Sequence, residues 1–320
     1  MAEHDVEDTS PIQLPPIKRP TPHGEKLYKL RTNAKLPKSD SGKLEQTIDA
    51  YEKWIADMDA LTSTGEKKVR ELVKLLNEYK TKVELNFVWD SDEDFLYRQK
   101  GQLKLDNSVL EEWFPWLIDT DIFPELRGQN LQVGPSKAFS SAYFQNNLKD
   151  PLPAPKLAIR SKDQDFTIGQ ETYLKSSFSK NFSSAQCETT TTFIAYIAAE
   201  LKTNLDKTMF QEAVATSHDL KIAAPGSKYF LICEYLDMTP ISSSGTDIEE
   251  VLILRGKRTQ SGKRKNYAKA EYRKLNRSEF AQKLSANPVR ESVVLRFVEH
   301  IRKALESDNN LSNSVERGYF

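Results

Sequence analysis

The sequence has few cysteines, no long apolar run and no excess of either charge, and each absence excludes a class of protein. Cys187 and Cys233 are the only two cysteines among 320 residues, which is too few for a disulfide framework or a zinc site with paired thiol ligands. No apolar run reaches the roughly 18 residues of a membrane-spanning helix, and the polar, acidic N-terminus is unlike a signal peptide. We therefore expect a soluble protein from a reducing compartment.

A strong overall charge is also absent, because 46 Lys and Arg residues balance 46 Asp and Glu residues. Any surface that binds nucleic acid must then be local. The length permits two domains, and prolines at 151, 153 and 155 mark a join between them. We predict an extended, basic, proline-rich arm over residues 1–43, a mainly helical domain over residues 44–150 and an α/β domain over residues 151–320.

Two apolar segments separated by a helical pattern predict a strand–helix–strand unit with parallel strands. The first strand, Phe193–Ala199, has the composition of a strand buried on both faces. Residues 203–221 then repeat apolar side chains at helical spacing, and Tyr229–Tyr235 forms the second strand. Glu200 and Lys202, which directly follow the first strand, therefore lie at the carboxyl end of the sheet, where α/β folds collect ligands.

Glu200 and Lys202 are expected to point to the same side of their strand, since side chains alternate between faces. Placing a carboxylate and an ammonium side by side at the tip of a buried strand costs hydration energy. The arrangement becomes reasonable if the carboxylate binds a divalent cation and the lysine faces a phosphate or an attacking water. A plain ion pair is the simpler alternative, because Glu-x-Lys is a common tripeptide.

A Mg²⁺ site normally uses a second carboxylate, and we predict it at Asp165. This residue begins a short predicted strand over residues 165–168, with Tyr173–Lys175 as its hairpin partner. Glu171 and Glu188 remain alternatives for the same role. Asp165 is preferred because a strand, rather than a loop rich in Ser and Thr, follows it.

A basic tract follows the predicted strand Ile248–Leu254. Residues 255–277 contain ten basic residues and one acidic residue, interleaved with glycines and tyrosines. A solvated surface is the ordinary explanation for such a tract. Its position at the mouth of the predicted site favours contact with nucleic-acid phosphates instead. The residues predicted to make this contact are Arg255, Lys257, Arg258, Lys263, Arg264 and Lys265.

The pattern of Asp165, Glu200 and Lys202 resembles the PD-(D/E)XK nuclease superfamily. More narrowly, the blocks AELKTNLDKTM at 199–209 and IEEVLILRGKR at 248–258 resemble the heterodimeric type II restriction endonucleases that cut CCTNAGC-like sites. The resemblance extends over residues 160–320. Gln164 stands where the motif of the superfamily has a proline, and the gap between Asp165 and Glu200 is long.

The resemblance implies an α/β fold with a PD-(D/E)XK nuclease core, a mixed central sheet flanked by helices, behind an N-terminal helical region. It also implies Mg²⁺-dependent, sequence-specific cleavage of double-stranded DNA in the bacterial cytoplasm. Asp165, Glu200 and the backbone carbonyl of Leu201 are then the expected Mg²⁺ ligands, and Lys202 polarises the attacking water. Gln211 and Glu212, in the helix that follows the site, could face the cleft or be solvated, and Gln211 is the preferred candidate for a supporting contact.

One active site cuts one strand, so duplex cleavage requires a second nuclease subunit or a second copy of the chain. Two other functions remain open at this point. One is a repair or nicking nuclease of the same fold, and the other is a DNA-binding module of that fold without catalysis.

Overall fold

A five-stranded mixed sheet separates two layers of helices in the computed structural model, which describes residues 19–145, 148–257 and 265–306. The strands lie in sequence order across the sheet. The first three pair antiparallel, and the last three pair parallel. They are β1 (Gln132–Gln145), β2 (Lys156–Ser177), β3 (Cys187–Leu205), β4 (Lys228–Leu236) and β5 (Ile248–Lys257).

Helices precede, interrupt and follow this sheet. Those before it are α1 (Pro22–Leu30), α2 (Ser41–Asp59), α3 (Gly65–Thr81), which continues as a π-helix over Lys82–Trp89, α4 (Phe95–Gln99) and α5 (Asn107–Trp113). Those within and after it are α6 (Lys207–Ala223), α7 (Ala270–Leu275), α8 (Arg277–Ala286) and α9 (Glu291–Glu306). Short 3-10 turns span Lys38–Asp40, Phe114–Leu117, Pro124–Leu126 and Ser184–Gln186. Among the described residues, no helix has the length and apolarity needed to cross a membrane.

The two faces of the sheet are covered differently. One face packs against the N-terminal helices and α9 in a single apolar core that runs from Leu27 to Ile301. The other face packs against α6, whose buried residues Phe210, Ala213 and Leu220 match the predicted helical spacing. The mixed sheet with helices on both faces confirms the predicted fold class.

The predicted boundary at residue 150 does not separate two cores. Strand β1 lies before this boundary, yet it pairs with β2 along its length. The apolar core joins the helices of the N-terminal segment to the sheet, because an amphipathic helix layer and one sheet face each need an apolar partner.

The extended basic arm predicted for residues 1–43 is wrong for its described part, residues 19–43. Helix α1 packs against α5, and the basic side chains of this segment meet acidic residues of the same chain. Arg19 Nη2 lies 2.7 Å from Asp119 Oδ2, and Lys26 Nζ lies 3.3 Å from Glu111 Oε2. Residues 1–18 of the predicted arm lie outside the described residues.

The hairpin predicted around Gly169 is also wrong, because β2 continues through this residue as one strand. A side chain here would overlap the backbone carbonyl of Ile194 and approach the Phe193 ring to 2.8 Å. The register between β2 and β3 shifts at the same point. Gly169 therefore permits a close approach of two strands at a bulge, which is a second use of glycine besides turns.

The strand–helix–strand unit is confirmed. β3 and β4 are parallel neighbours, with Ala199 opposite Phe230 and Leu201 opposite Ile232. Helix α6 connects them, and it begins after Asp206, whose side chain accepts a hydrogen bond of 2.9 Å from the Met209 N–H. This connection places Glu200 and Lys202 near the carboxyl end of β3, as predicted.

Candidate active site

The candidate site lies where β2 separates from β3. Their pairing ends at Phe166 and Ala199, and the next positions in the same register are Asp165 and Glu200. On its other side, β2 shifts register against β1 between Gly134 and Ser136, across a proline that has no N–H to donate. Strand irregularities of this kind redirect side chains next to active sites. Here they free Asp165 from both neighbouring strands.

Asp165 bridges the gap between the two strands through its side chain. Its Oδ2 accepts a hydrogen bond of 2.9 Å from the backbone N–H of Leu201. The N–H and C=O of one residue in a strand point towards the same neighbour, so the Leu201 carbonyl also faces this gap. The side chain of Leu201 is fully buried in the core, on the face of the sheet opposite to the side chains of Glu200 and Lys202. The predicted backbone ligand therefore lies beside the predicted carboxylate.

Glu200 and Lys202 form an ion pair within this opening. Glu200 Oε1 lies 2.5 Å from Lys202 Nζ, and the two side chains are 20% and 29% exposed. The hydroxyl of Tyr229, on the adjacent strand β4, donates a 3.0 Å hydrogen bond to Glu200 Oε2. Tyr229 was not among the predicted site residues, because the pairing register that brings it beside Glu200 is a tertiary property.

Burial and charge shift the ionisation of the site in opposite directions. Burial raises the pKa of Asp165, and the hydrogen bond from the Leu201 N–H opposes this only in part. Burial acts to lower the pKa of Lys202, but the hydrogen bond and charge of Glu200 outweigh it and raise that pKa. Lys202 is therefore a stable cation paired with Glu200, and the charge of Asp165 also favours its charged form.

Two further acidic residues act on the site through their charge. Glu111 of α5 contributes to the raised pKa of Asp165, and Glu212 of α6 favours the charged form of Lys202. Lys104, which pairs with Glu111 at 3.3 Å, partly stabilises ionised Asp165. The carboxylates of Asp165 and Glu200 would repel an anionic substrate at this opening unless a cation joined them.

The comparison with protein families shows which family the chain belongs to. The model of the Bpu10I restriction endonuclease family matches residues 102–320, which is more than half of the chain. The chain belongs to this family. It is a type II restriction endonuclease, a site-specific deoxyribonuclease of a restriction–modification system.

A solved structure of the native BbvCI A2B2 tetramer is similar to this Bpu10I-family chain. The two share 22% sequence identity with a TM-score of 0.50, over 82% of this chain and 95% of the BbvCI chain. This likeness shows a common fold. No curated protein matches the chain.

The donor set of this family member fits a hard divalent cation. Mg²⁺ prefers oxygen ligands and commonly takes one or two carboxylates from the protein. Asp165, Glu200 and the Leu201 carbonyl offer oxygens at one opening. Within the described part of the chain there is no cluster of three or more His, Cys, Asp or Glu side chains suited to a metal, so a cation here would rely on two carboxylates and the backbone.

The structure separates the alternative carboxylates from the site. Glu171 lies opposite Phe193, and Glu188 lies opposite Ser176. Glu188 is twelve residues from Glu200 along β3, which corresponds to about 40 Å of strand. Both alternatives belong to the distant hairpin between β2 and β3, whereas Asp165 and Glu200 lie directly beyond the last pair of the two strands, Phe166 and Ala199.

Gln211 remains a prediction for the supporting contact. Its side chain is exposed on the first half of α6. The adjacent Glu212, the other residue considered for this position, favours the charged form of Lys202.

The prediction that Arg255 contacts DNA is wrong. Its side chain is 3% exposed, because Nη2 lies 2.8 Å from Glu84 Oε1 and Nε lies 2.9 Å from Glu234 Oε2. Lys80 completes this buried cluster at 2.8 Å from Glu234 Oε1. Burying these charges requires that they pair, so Arg255 joins β5 to the N-terminal helices.

The second half of the basic tract is paired with an acidic segment of the chain. Lys269, Lys274 and Arg277 contact Asp94, Asp92 and Asp90, at 3.3, 3.0 and 2.7 Å. Lys265 is exposed. The backbone of Lys257 ends β5, and the predicted contacts Arg258, Lys263 and Arg264 lie outside the described residues.

Proposed function

We propose that this restriction endonuclease hydrolyses DNA phosphodiester bonds with Mg²⁺ at Asp165, Glu200 and Lys202. The observation that supports the proposal is the bond from the Leu201 N–H to Asp165. It joins residues 36 positions apart and brings the first carboxylate to the ion pair of Glu200 and Lys202. A structural ion pair at a strand end has no need of a second, partly buried carboxylate whose pKa is raised.

Asp165, Glu200 and the Leu201 carbonyl would hold the cation. When bound, Mg²⁺ would supply positive charge that offsets the negative charge accumulating on the phosphate during in-line displacement. Tyr229 holds one oxygen of Glu200 in place through its hydroxyl, which fixes the carboxylate for this task. The Leu201 N–H does the same for Asp165.

Lys202 provides the remaining positive charge of the site. Its raised pKa keeps the ammonium protonated at neutral pH, so it donates hydrogen bonds rather than accepting a proton. In this role it orients the attacking water and stabilises the negative charge that develops on the phosphate. The lysine therefore acts on the reaction more than on DNA affinity.

The residues Lys257, Arg258, Lys263, Arg264 and Lys265 are proposed to contact the phosphate backbone. Lys257 is the last residue of β5, and the other four follow it in the sequence. The parallel pairing of β5 with β4 brings its end to the same edge of the sheet as the end of β3. Lysine and arginine contacts to phosphates position a duplex without reading its sequence.

A second subunit is proposed to cut the other strand. The BbvCI structure that this chain resembles is an A2B2 tetramer, and one set of Asp165, Glu200 and Lys202 serves one scissile bond. A related subunit would supply the second set. Two copies of this chain would serve the same purpose if the recognition site were symmetric.

Digestion of a fully sequenced phage genome tests the proposal. The purified chain is incubated with Mg²⁺, alone and together with the product of any adjacent nuclease gene, and fragment ends are sequenced. We expect fragments with fixed ends that share one short sequence, and no cleavage by an Asp165→Asn variant. Nicks that follow DNA structure rather than sequence would favour a repair nuclease, and equal activity of the variant would exclude the proposed site.

A further inference from the structure

The two long hairpins of the sheet differ in charge although both are exposed. The first, here named the β1–β2 ribbon, consists of residues 137–145 and 156–163, whose backbones pair with each other. The second, named the β2–β3 hairpin, consists of residues 170–177 and 187–193. The base of the ribbon lies two residues before Asp165 on the same strand. The β2–β3 hairpin contacts the tip of the ribbon, where the Thr190 hydroxyl donates to the Leu157 carbonyl at 3.4 Å and the Ser176 hydroxyl donates to the Pro155 carbonyl at 2.8 Å.

The ribbon carries an excess of basic residues in a chain that has none overall. Its strands contain Lys137, Lys156, Arg160 and Lys162 against one acid, Asp163. The strands of the β2–β3 hairpin contain Lys175 against Glu171 and Glu188. Basic residues are therefore concentrated on the hairpin that adjoins the active site, as charge complementarity to DNA requires.

The β1 strand of the ribbon is exposed beyond its base. Residues 141–145 are all exposed, and Tyr143 and Phe144 are each 58% exposed. Lys162 anchors the base to α6 through Asp219, at 2.9 Å. The β2–β3 hairpin supports the β2 edge of the tip, and the exposed β1 edge is left available to a partner.

We propose that the β1–β2 ribbon enters the major groove of the DNA substrate and reads bases next to the cut. This inference rests on the proposed function. The major groove is wide enough for a two-stranded ribbon. Arg160 lies five residues from Asp165 along β2, or about 17 Å, which matches about five base pairs of DNA. Bases at that distance belong to a short recognition site that contains the scissile bond.

Within the ribbon, we assign different contacts to two exposed residues. Arg160 contacts a base edge, because a guanidinium forms paired hydrogen bonds with guanine in this groove. Lys156, near the tip, contacts backbone phosphates. Tyr143 and Phe144, opposite Ala158 and Leu157, pack against the bases or sugars that line the groove.

Equilibrium binding with Ca²⁺ in place of Mg²⁺ tests this assignment on the full chain with its partner subunit. The probes are a short duplex that carries a cleavage site mapped in the phage digest and a duplex of scrambled sequence. We expect Arg160→Ala to weaken binding to the site duplex by about 10- to 100-fold and to leave the scrambled duplex nearly unaffected. Lys156→Ala should weaken both duplexes alike and reduce the salt dependence of binding by about one counterion.

The β2–β3 hairpin provides matched controls. Lys175→Ala and Tyr173→Ala change the same residue types at exposed positions, Tyr173 being 66% exposed, and should bind both duplexes as the unsubstituted protein does. Equal effects of Arg160→Ala and Lys175→Ala would overturn the proposal. Loss of partner binding by Tyr143→Ala, with unchanged DNA binding by the remaining complex, would also overturn it and make the ribbon a subunit contact.

Failure of the proposed function gives a different result. In that case the unsubstituted protein itself neither cuts the phage genome nor prefers one duplex. The ribbon proposal fails alone if the unsubstituted protein cuts and discriminates, and all ribbon variants do so equally well.

Discussion

Replacing Lys202 with alanine separates a catalytic role for this side chain from a structural one. The Lys202–Glu200 pair is short, 2.5 Å, but its side chains are 29% and 20% exposed. Partly exposed ion pairs contribute about 0.2–1 kcal/mol, and Glu200 keeps its hydrogen bond from Tyr229. We expect a small loss of stability, nearly unchanged DNA binding, and cleavage reduced by about 10²- to 10³-fold or more, as when a preorganised donor to developing charge is removed.

Lys228→Ala is the matched control for Lys202→Ala. Lys228 pairs with Glu249 at 2.9 Å on the same sheet, with side chains 38% and 30% exposed. Thermal unfolding, DNA binding in Ca²⁺ and single-turnover cleavage in Mg²⁺ are measured for both variants. The two should lose similar stability, and only Lys202→Ala should lose cleavage. A Lys202→Ala variant that unfolds, stops binding DNA or still cleaves normally would refute the catalytic role.

Three further predictions follow from the fold and the site. Gly169→Ala should lower the free energy of unfolding by about 1–3 kcal/mol, measured by denaturant titration, because the added carbon overlaps a backbone carbonyl of β3; an unchanged midpoint would contradict this packing. Asp165→Asn should abolish cleavage without lowering the melting temperature. Burial raises the pKa of Asp165, so folding is favoured by protonation and this contribution is lost as pH rises through the raised pKa. As pH rises through this range, the melting temperature of Asp165→Asn should rise relative to that of the original protein. A variant that melts at a lower temperature than the original protein at every pH would contradict this expectation. Joint replacement of Lys263, Arg264 and Lys265 by alanine should weaken binding to all sequences and flatten its salt dependence, and an unchanged salt slope would assign these residues to the solvated surface.

The parts of the fold that follow from local patterns could be predicted from the sequence. Apolar runs and helical spacing located β3, α6 and β4, and the order strand–helix–strand implied their parallel pairing. That pairing placed Glu200 and Lys202 correctly. Asp165 could be proposed because a strand follows it, but its contact with Leu201 depends on where β2 leaves its neighbours, which no local pattern encodes.

Charge patterns were the least reliable guide. The sequence shows that Arg255 and Arg277 are basic, but it does not show which anion each one meets. Their partners Glu84 and Asp90 lie 171 and 187 residues away along the chain. A buried carboxylate and a DNA phosphate select the same residue types, so only the tertiary structure distinguishes them. Arg19 and Lys26 of the predicted arm illustrate the same ambiguity.

The role of a glycine was equally ambiguous in the sequence. Gly169 lies between two short patterns that each suit a strand, which is also the signature of a hairpin turn. The structure uses the missing side chain for contact between strands instead. One long strand rather than two short ones is what allows β2 to reach from the distant hairpin through Asp165 to the ribbon.

The central claim is that Asp165 and Glu200 hold one divalent cation, and metal-directed cleavage of the polypeptide tests it most directly. Fe²⁺ replaces Mg²⁺ on the full-length protein, ascorbate and peroxide generate radicals at the bound ion, and mass spectrometry locates the broken bonds. The account predicts cuts confined to the neighbourhoods of Asp165 and Glu200, suppressed by excess Mg²⁺ and absent in Asp165→Asn. Cuts around Glu171 or Glu188 instead, or an identical pattern in the variant, would contradict it.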